Sequence, residues 1–134
     1  MANWYGSSRS NYFRVKNPTE FNAWADELNL TVWPKDDHFA IAPDANSDNG
    51  DWPSQRFNED SNDYEEIDIP AQLAPLLADG EVAVLQSVGA ENLRYLTGWA
   101  IAVHSSGETE HVSIDDIYKM ASERWGASPT TATY

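Results

Sequence analysis

A chain of 134 residues suits one domain with a real core and is short for two of ordinary size. Its 41% apolar content, with six Trp, six Tyr and four Phe, belongs to a sequence that folds, and the lack of cysteine excludes disulfides, thiolate metal sites and cysteine nucleophiles. Eight Lys and Arg against 22 Asp and Glu leave a formal charge of −14, which disfavours direct nucleic-acid binding, since that draws on cations neutralising phosphates.

In chain order, residues 10–16 (SNYFRVK) carry the aromatic and β-branched content of a first strand, with Phe13 and Val15 on one face. Asn17-Pro18-Thr19-Glu20 starts a helix running to about Leu28, its Phe21, Trp24, Ala25 and Leu28 forming one apolar stripe. Residues 30–33 and 39–42 form a hairpin around Pro34-Lys35-Asp36-Asp37. Turn-rich stretches at 44–51 and 58–63 bracket a short strand at 52–57, and 64–69 alternates as another strand.

Residues 70–78 predict a short helix burying Leu73, Leu76 and Leu77, with Pro75 inside it and Gly80 as its stop. Residues 81–88 and 93–105 are the clearest strands; in the second, Gly98, Ala100 and Ala102 alternate with Trp99, Ile101 and Val103 and predict close packing under a helix. Ser105-Ser106-Gly107-Glu108 turns into a strand at 109–114. A last helix opens at Ser113, with Asp116 three residues on, and is expected to bury Ile117, Met120 and Ala121. The expected fold is α+β: one domain over residues 1–126, a twisted, mainly antiparallel sheet with two or three helices on one face, then a flexible tail over 127–134.

The charge is concentrated. Residues 36–68 hold eleven acids and one base, Arg56, and so carry −10 of the −14. Asp44, Asn46 and Asp48 have the one, three, five spacing of a calcium loop, but position six is Asn49 and position twelve is Gln55, so the glycine and the bidentate carboxylate are both missing. Paired-carboxylate catalysis needs acids held in a cleft beside orienting Arg or His, whereas these fall in turn-rich segments. His38, His104 and His111 show no metal-ligand spacing. The sequence therefore points to no enzyme, no cofactor and no metal. A solubilising surface would have the same composition, and the clustering sets a partner-binding one beside it. Its candidate residues are Asp44, Asp48, Asp51, Glu59, Asp60, Asp63, Glu65 and Glu66, with Trp52, Phe57 and Tyr64 as interleaved aromatic anchors.

The aromatic-polar start around Asn3, Trp4, Tyr5 and Tyr12, beside Arg9, Arg14 and Lys16, has the interleaving of a base-stacking surface, but burial of Trp4 and Tyr12 against the sheet is favoured on so acidic a chain. Met1 to Gly6 lacks the pattern of a signal peptide and no apolar run is membrane-spanning in length, so a cytoplasmic location is expected.

Asn3-Trp4-Tyr5-Gly6 with residues 10–16, then Gly80-Glu81-Val82-Ala83-Val84, Leu93-Arg94-Tyr95 and Ser113-Ile114-Asp115-Asp116-Ile117-Tyr118, resemble a family of small acidic phage and plasmid proteins with no assigned activity, across about residues 3–121. The resemblance implies a mobile-element setting, in which small acidic proteins include anti-restriction and anti-CRISPR inhibitors, several of them DNA mimics. The expected function is inhibition of a basic host defence protein or nucleoprotein. The alternative is an accessory or antitoxin-like adaptor bound through exposed aromatics.

Overall fold

The computed structural model describes residues 4–44, 51–91, 95–126, 129, 130 and 132, with the backbone alone for Trp4, Tyr5, Arg56, Glu91 and Tyr95. The chain is a single α+β domain. Its main sheet is antiparallel with strand order β1-β6-β7-β8, formed by Trp4–Ser10, Val82–Glu91, Tyr95–His104 and Thr109–Ser113. Two hairpins stand apart from it: β2 (Thr31–Lys35) with β3 (His38–Ala42), and β4 (Gln55–Asn58) with β5 (Asp63–Glu66). Helices α1 (Pro18–Glu27), α2 (Ile69–Leu73, continued by a 3₁₀ turn over Ala74–Leu76) and α3 (Asp116–Trp125) complete the fold.

The strand expected at residues 10–16 is displaced. β1 ends at Ser10, and the following segment joins three parts of the molecule by short separate bridges instead of one ladder. Asn11 prolongs the contact with β6, its backbone N–H donating to Val84 O at 3.1 Å and its Oδ1 accepting from Val84 N–H at 2.8 Å. Phe13 then exchanges both backbone bonds with Phe39 of β3, each 2.8 Å, and Val15 bridges Leu77 beyond the 3₁₀ turn. The inward alternation of Phe13 and Val15 is thus real, but each faces a different partner.

The core sits between one face of the sheet (Ala83, Leu85, Val103) and the elements laid across it: Phe21 and Ala25 of α1, Ile41 of β3, Ile69 and Leu73 of α2. Phe13 and Phe21 meet edge to face at 5.7 Å, and Phe21 lies 5.2 Å from Phe39. The α1 cap forms as its sequence requires, Asn17 Oδ1 accepting from Thr19 and Glu20 N–H. Its C-terminus closes with Asn29 at φ 57°, while Asn29 and Leu30 N–H reach back to Asp26 and Ala25 carbonyls. Leu73 and Leu77 are buried as expected; Leu76 is only half-buried.

The last helix departs most from expectation. It opens at Asp116, not Ser113: Ser113 ends β8, Asp115 stands at the N-cap without a side-chain cap bond, and the Ser113 N–H to Asp116 Oδ2 bond of 2.7 Å ties the strand end to the helix start. α3 also buries none of its residues, with Ile117 57% and Met120 58% exposed and Ala121 half-buried. Nor does a helix cover Gly98: a Cβ there would meet Ile114 and Val88 side chains at 3.2 and 3.5 Å, so sheet residues take up the space the small side chains leave. Of the expected tail, residues 127, 128, 131, 133 and 134 lie outside the described residues; Ala132 N–H donates to the Tyr118 hydroxyl at 2.7 Å.

Glu81 locks the start of β6 to the crossing segment, its Oε2 accepting from Arg14 N–H at 2.9 Å and Arg14 Nε at 3.2 Å. The bond from Arg14 N–H is the largest influence and holds its carboxyl below the ordinary value of 4.5; burial pushes it up, and the Arg14 guanidinium lowers it further. A depressed folded pKa means stabilisation that is present above the unfolded value and lost as pH falls through the folded one. Glu81→Gln is expected to cost about 1 kcal/mol near neutral pH, and the difference from the parent should fade as pH falls below 4.5 in denaturant titrations.

Candidate functional site

The densest part of the acidic window is the β4–β5 hairpin. Its strands pair Gln55 with Glu66, Arg56 with Glu65, Phe57 with Tyr64 and Asn58 with Asp63. Asn58 builds the turn: its Oδ1 accepts from Asp60 N–H at 2.9 Å and Ser61 N–H at 3.4 Å, and Asn62 takes the left-handed conformation at φ 53°. Glu59 and Asp60 are thereby held exposed at the tip.

Directly opposed residues of an antiparallel pair share a face, so the register divides the hairpin. Phe57, Tyr64, Gln55 and Glu66 lie on one side; Asn58, Asp63 and Glu65 belong to the other. On the first side the two rings meet edge to face at 5.3 Å while remaining 49% and 66% exposed, so each shields part of its neighbour and both stay available. On the second side Asn58 Nδ2 donates to Glu65 Oε2 at 3.2 Å, which helps fix a half-buried carboxylate. A partner that covers the rings therefore meets Glu66 and the tip acids Glu59 and Asp60, with Asp63 and Glu65 on the reverse side.

The hairpin springs from the rim of a groove of about 550 Å³ between it, the start of α2 and the main sheet. Trp99 and Ile101 of β7 and His111 of β8 form one wall, with Trp99 and His111 rings 6.2 Å apart, and Glu66, Asp68 and Asp51 stand around it. Asp68 is committed to the α2 cap, accepting from Ala71 N–H at 3.1 Å. Asp51 turns toward the sheet: its Oδ1 accepts from Trp52 N–H at 2.8 Å and from the buried Ser87 hydroxyl at 3.2 Å.

Trp52 is a correction to the expected anchors. It is only 8% exposed, belongs to the core, and donates its indole N–H to Gln86 O at 3.2 Å. It holds the chain against β6 where the acidic window re-enters the body, and so offers a partner no surface. Asp44 is exposed just after β3, and Asp48, with most of the calcium-like loop, lies outside the described residues. Trp99, His111 and Asp68 were not expected at the site; only the return of β5 into α2 brings them beside Glu66.

Among the described residues no cluster of three or more His, Asp or Glu is arranged to hold a metal ion. His104 Nδ1 lies 2.8 Å from Ser106 Oγ and 3.0 Å from Ser106 N inside its turn, and His38 Nδ1 lies 2.7 Å from an Asp37 oxygen. No helix among the described residues is long and apolar enough to cross a membrane.

No protein-family model matches the chain, no curated protein is similar to it in sequence, and no solved structure matches its fold. Trp52→Ala is expected to destabilise the domain by about 3 kcal/mol in urea unfolding, as for a large core aromatic, whereas Tyr64→Ala should change stability by less than about 1 kcal/mol.

Proposed function

We propose that the chain is a non-enzymatic acidic binding protein that docks its β4–β5 hairpin on the basic, nucleic-acid-contacting surface of a partner and thereby excludes the nucleic acid. The observation that carries this reading is the exposed Phe57–Tyr64 pair set among carboxylates on a hairpin that, among the described residues, pairs with no other strand. Charged groups steer the encounter and choose the partner, while exposed rings supply apolar contact that is desolvated on binding.

Spacing supports mimicry over a short reach. Four-residue strands at ~3.3 Å per residue span about 13 Å, so the three carboxylates that a partner on the ring side meets stand about one per 4.3 Å, against one phosphate charge per ~3.4 Å along one strand of a duplex. That length equals about four base-pair steps, enough to occupy one reading head and too short to fill a long groove. The groove beneath adds a place for a guanidinium, which stacks on faces such as that of Trp99 while pairing with Glu66. The likeness of the N-terminal run to small acidic phage and plasmid proteins supports a host defence nucleoprotein as the partner, in the cytoplasm of the host.

The same rings support the second reading, an accessory or antitoxin-like adaptor held mainly by apolar contact. Capture experiments with the tagged chain and a bacterial lysate separate the two. Under the first, Glu59→Gln, Asp60→Asn and Glu66→Gln together should weaken capture at least ten-fold with the fold intact, salt should weaken it and duplex DNA should compete. Asp63→Asn, on the reverse side, should have little effect. Capture that survives the triple change and salt but fails with Phe57→Ala and Tyr64→Ala would overturn the mimicry and favour the adaptor.

A further inference from the structure

The sheet face turned away from the core is open. Val88, Gly98, Ala100, Val112 and Ile114 line a shallow groove of about 370 Å³ on it, floored by the small residues and flanked by the branched ones. Val88, Leu96, Val112 and Ile114 are 56%, 49%, 52% and 51% exposed. Beside it, directly after Ile114, begins a helix whose apolar arc has no home: Ile117, Met120 and Trp125 are 57%, 58% and 72% exposed, while Lys119 and Glu123 occupy the other side. None of α3's residues lines its own chain's groove.

We infer that the open face is the dimer interface of this protein, each α3 lying across the Gly98–Ala100 groove of a second copy. Three observations select that occupant. The first is area: the seven side chains together expose on the order of 800 Å², above the largest patch usual on a monomer and equal to the share each partner gives to a standard interface. The second is shape. A ten-residue helix is about 15 Å long and the four strands span about 14 Å from first to last, so one α3 covers the sheet, its large side chains meeting glycine and alanine.

The third is charge. Two chains of −14 repel each other, but the described residues of this face and of α3 with its cap nearly balance, with Glu110, Asp115, Asp116 and Glu123 against Arg9, Lys119 and Arg124. Self-association meets little repulsion here, because charges elsewhere are screened beyond about 8 Å at physiological salt. The contact is self-complementary, groove to helix and helix to groove, which is what a two-fold axis requires. It leaves the acidic hairpins outside the interface and does not rest on the function proposed for them.

Sedimentation equilibrium of the full chain is expected to show twice the 15.0 kDa chain mass at micromolar concentration. Ile117→Asp with Met120→Asp, both at exposed positions, should return it to the single-chain mass with its circular dichroism unchanged, and should weaken association at least 100-fold. Because the chain has no cysteine, Ala100→Cys with Met120→Cys can be probed with a short bismaleimide. A covalent two-chain product supports exchange of α3. A cross-link within one chain, or none, overturns it, as does single-chain mass throughout. An intact dimer in the double-aspartate variant would likewise overturn the assignment of the interface to α3.

Discussion

Everything in this fold depends on the crossing of residues 11–15. A four-stranded sheet with one apolar face needs a second layer, and here the chain that leaves β1 threads between sheet, β2–β3 hairpin and α2. Phe13, with none of its surface exposed, is the centre of that crossing: its backbone is bonded on both sides to Phe39 and its ring stands against Phe21. Ser10 makes the exit from the sheet possible, because its buried hydroxyl accepts from Ile41 N–H at 2.8 Å and donates to Asn11 O at 2.7 Å. Ile41 N–H and Asn11 O thereby keep partners where the ladder ends, a point at which breaking a sheet inside a protein costs hydrogen bonds.

From that junction the acidic window acquires its shape. The turn of β2–β3 carries Asp36 and Asp37, and the later return through Asp51 and Trp52 is pinned to β6. Between Trp52 and the α2 cap at Asp68, a stretch short of its own core can only pair with itself, and the β4–β5 hairpin is the result. The carboxylates thus do two kinds of work. Asp51 and Asp68 satisfy buried or terminal donors, while Glu59, Asp60 and Glu66 are exposed around a ring pair.

The two faces of the main sheet pose opposite problems. On the core face, Leu85 and Val103 are buried by aromatic and aliphatic side chains from both helices and the hairpin. On the other, Val88, Val112 and Ile114 remain half in water, although the glycine and alanines between them suit a close neighbour. An amphipathic helix beside an open apolar face is a pairing left unmade within one chain, and burial between chains satisfies the same physical demand.

How much of this was legible from residues alone follows from the range of each interaction. Asn17-Pro18 and the i, i+3, i+4 stripe of α1 and the turn at Gly107 are local signals, and each appears where the sequence places it, whereas α3 opens three residues after the expected Ser113. The concentration of charge and the aromatics within it were equally readable. What the sequence could not decide was the partner of each apolar residue. Residues 10–16 have the alternation of a strand but meet three different elements; Ile117 and Met120 have the spacing of a buried stripe but face outward; Trp52 sits among acids yet belongs to the core. Periodicity shows which side of an element is apolar, whereas burial depends on what tertiary contacts bring against that side. That is why the acidic surface was visible in the sequence, while the division of the hairpin into a ring-bearing face and a reverse face came only from the register of β4 against β5.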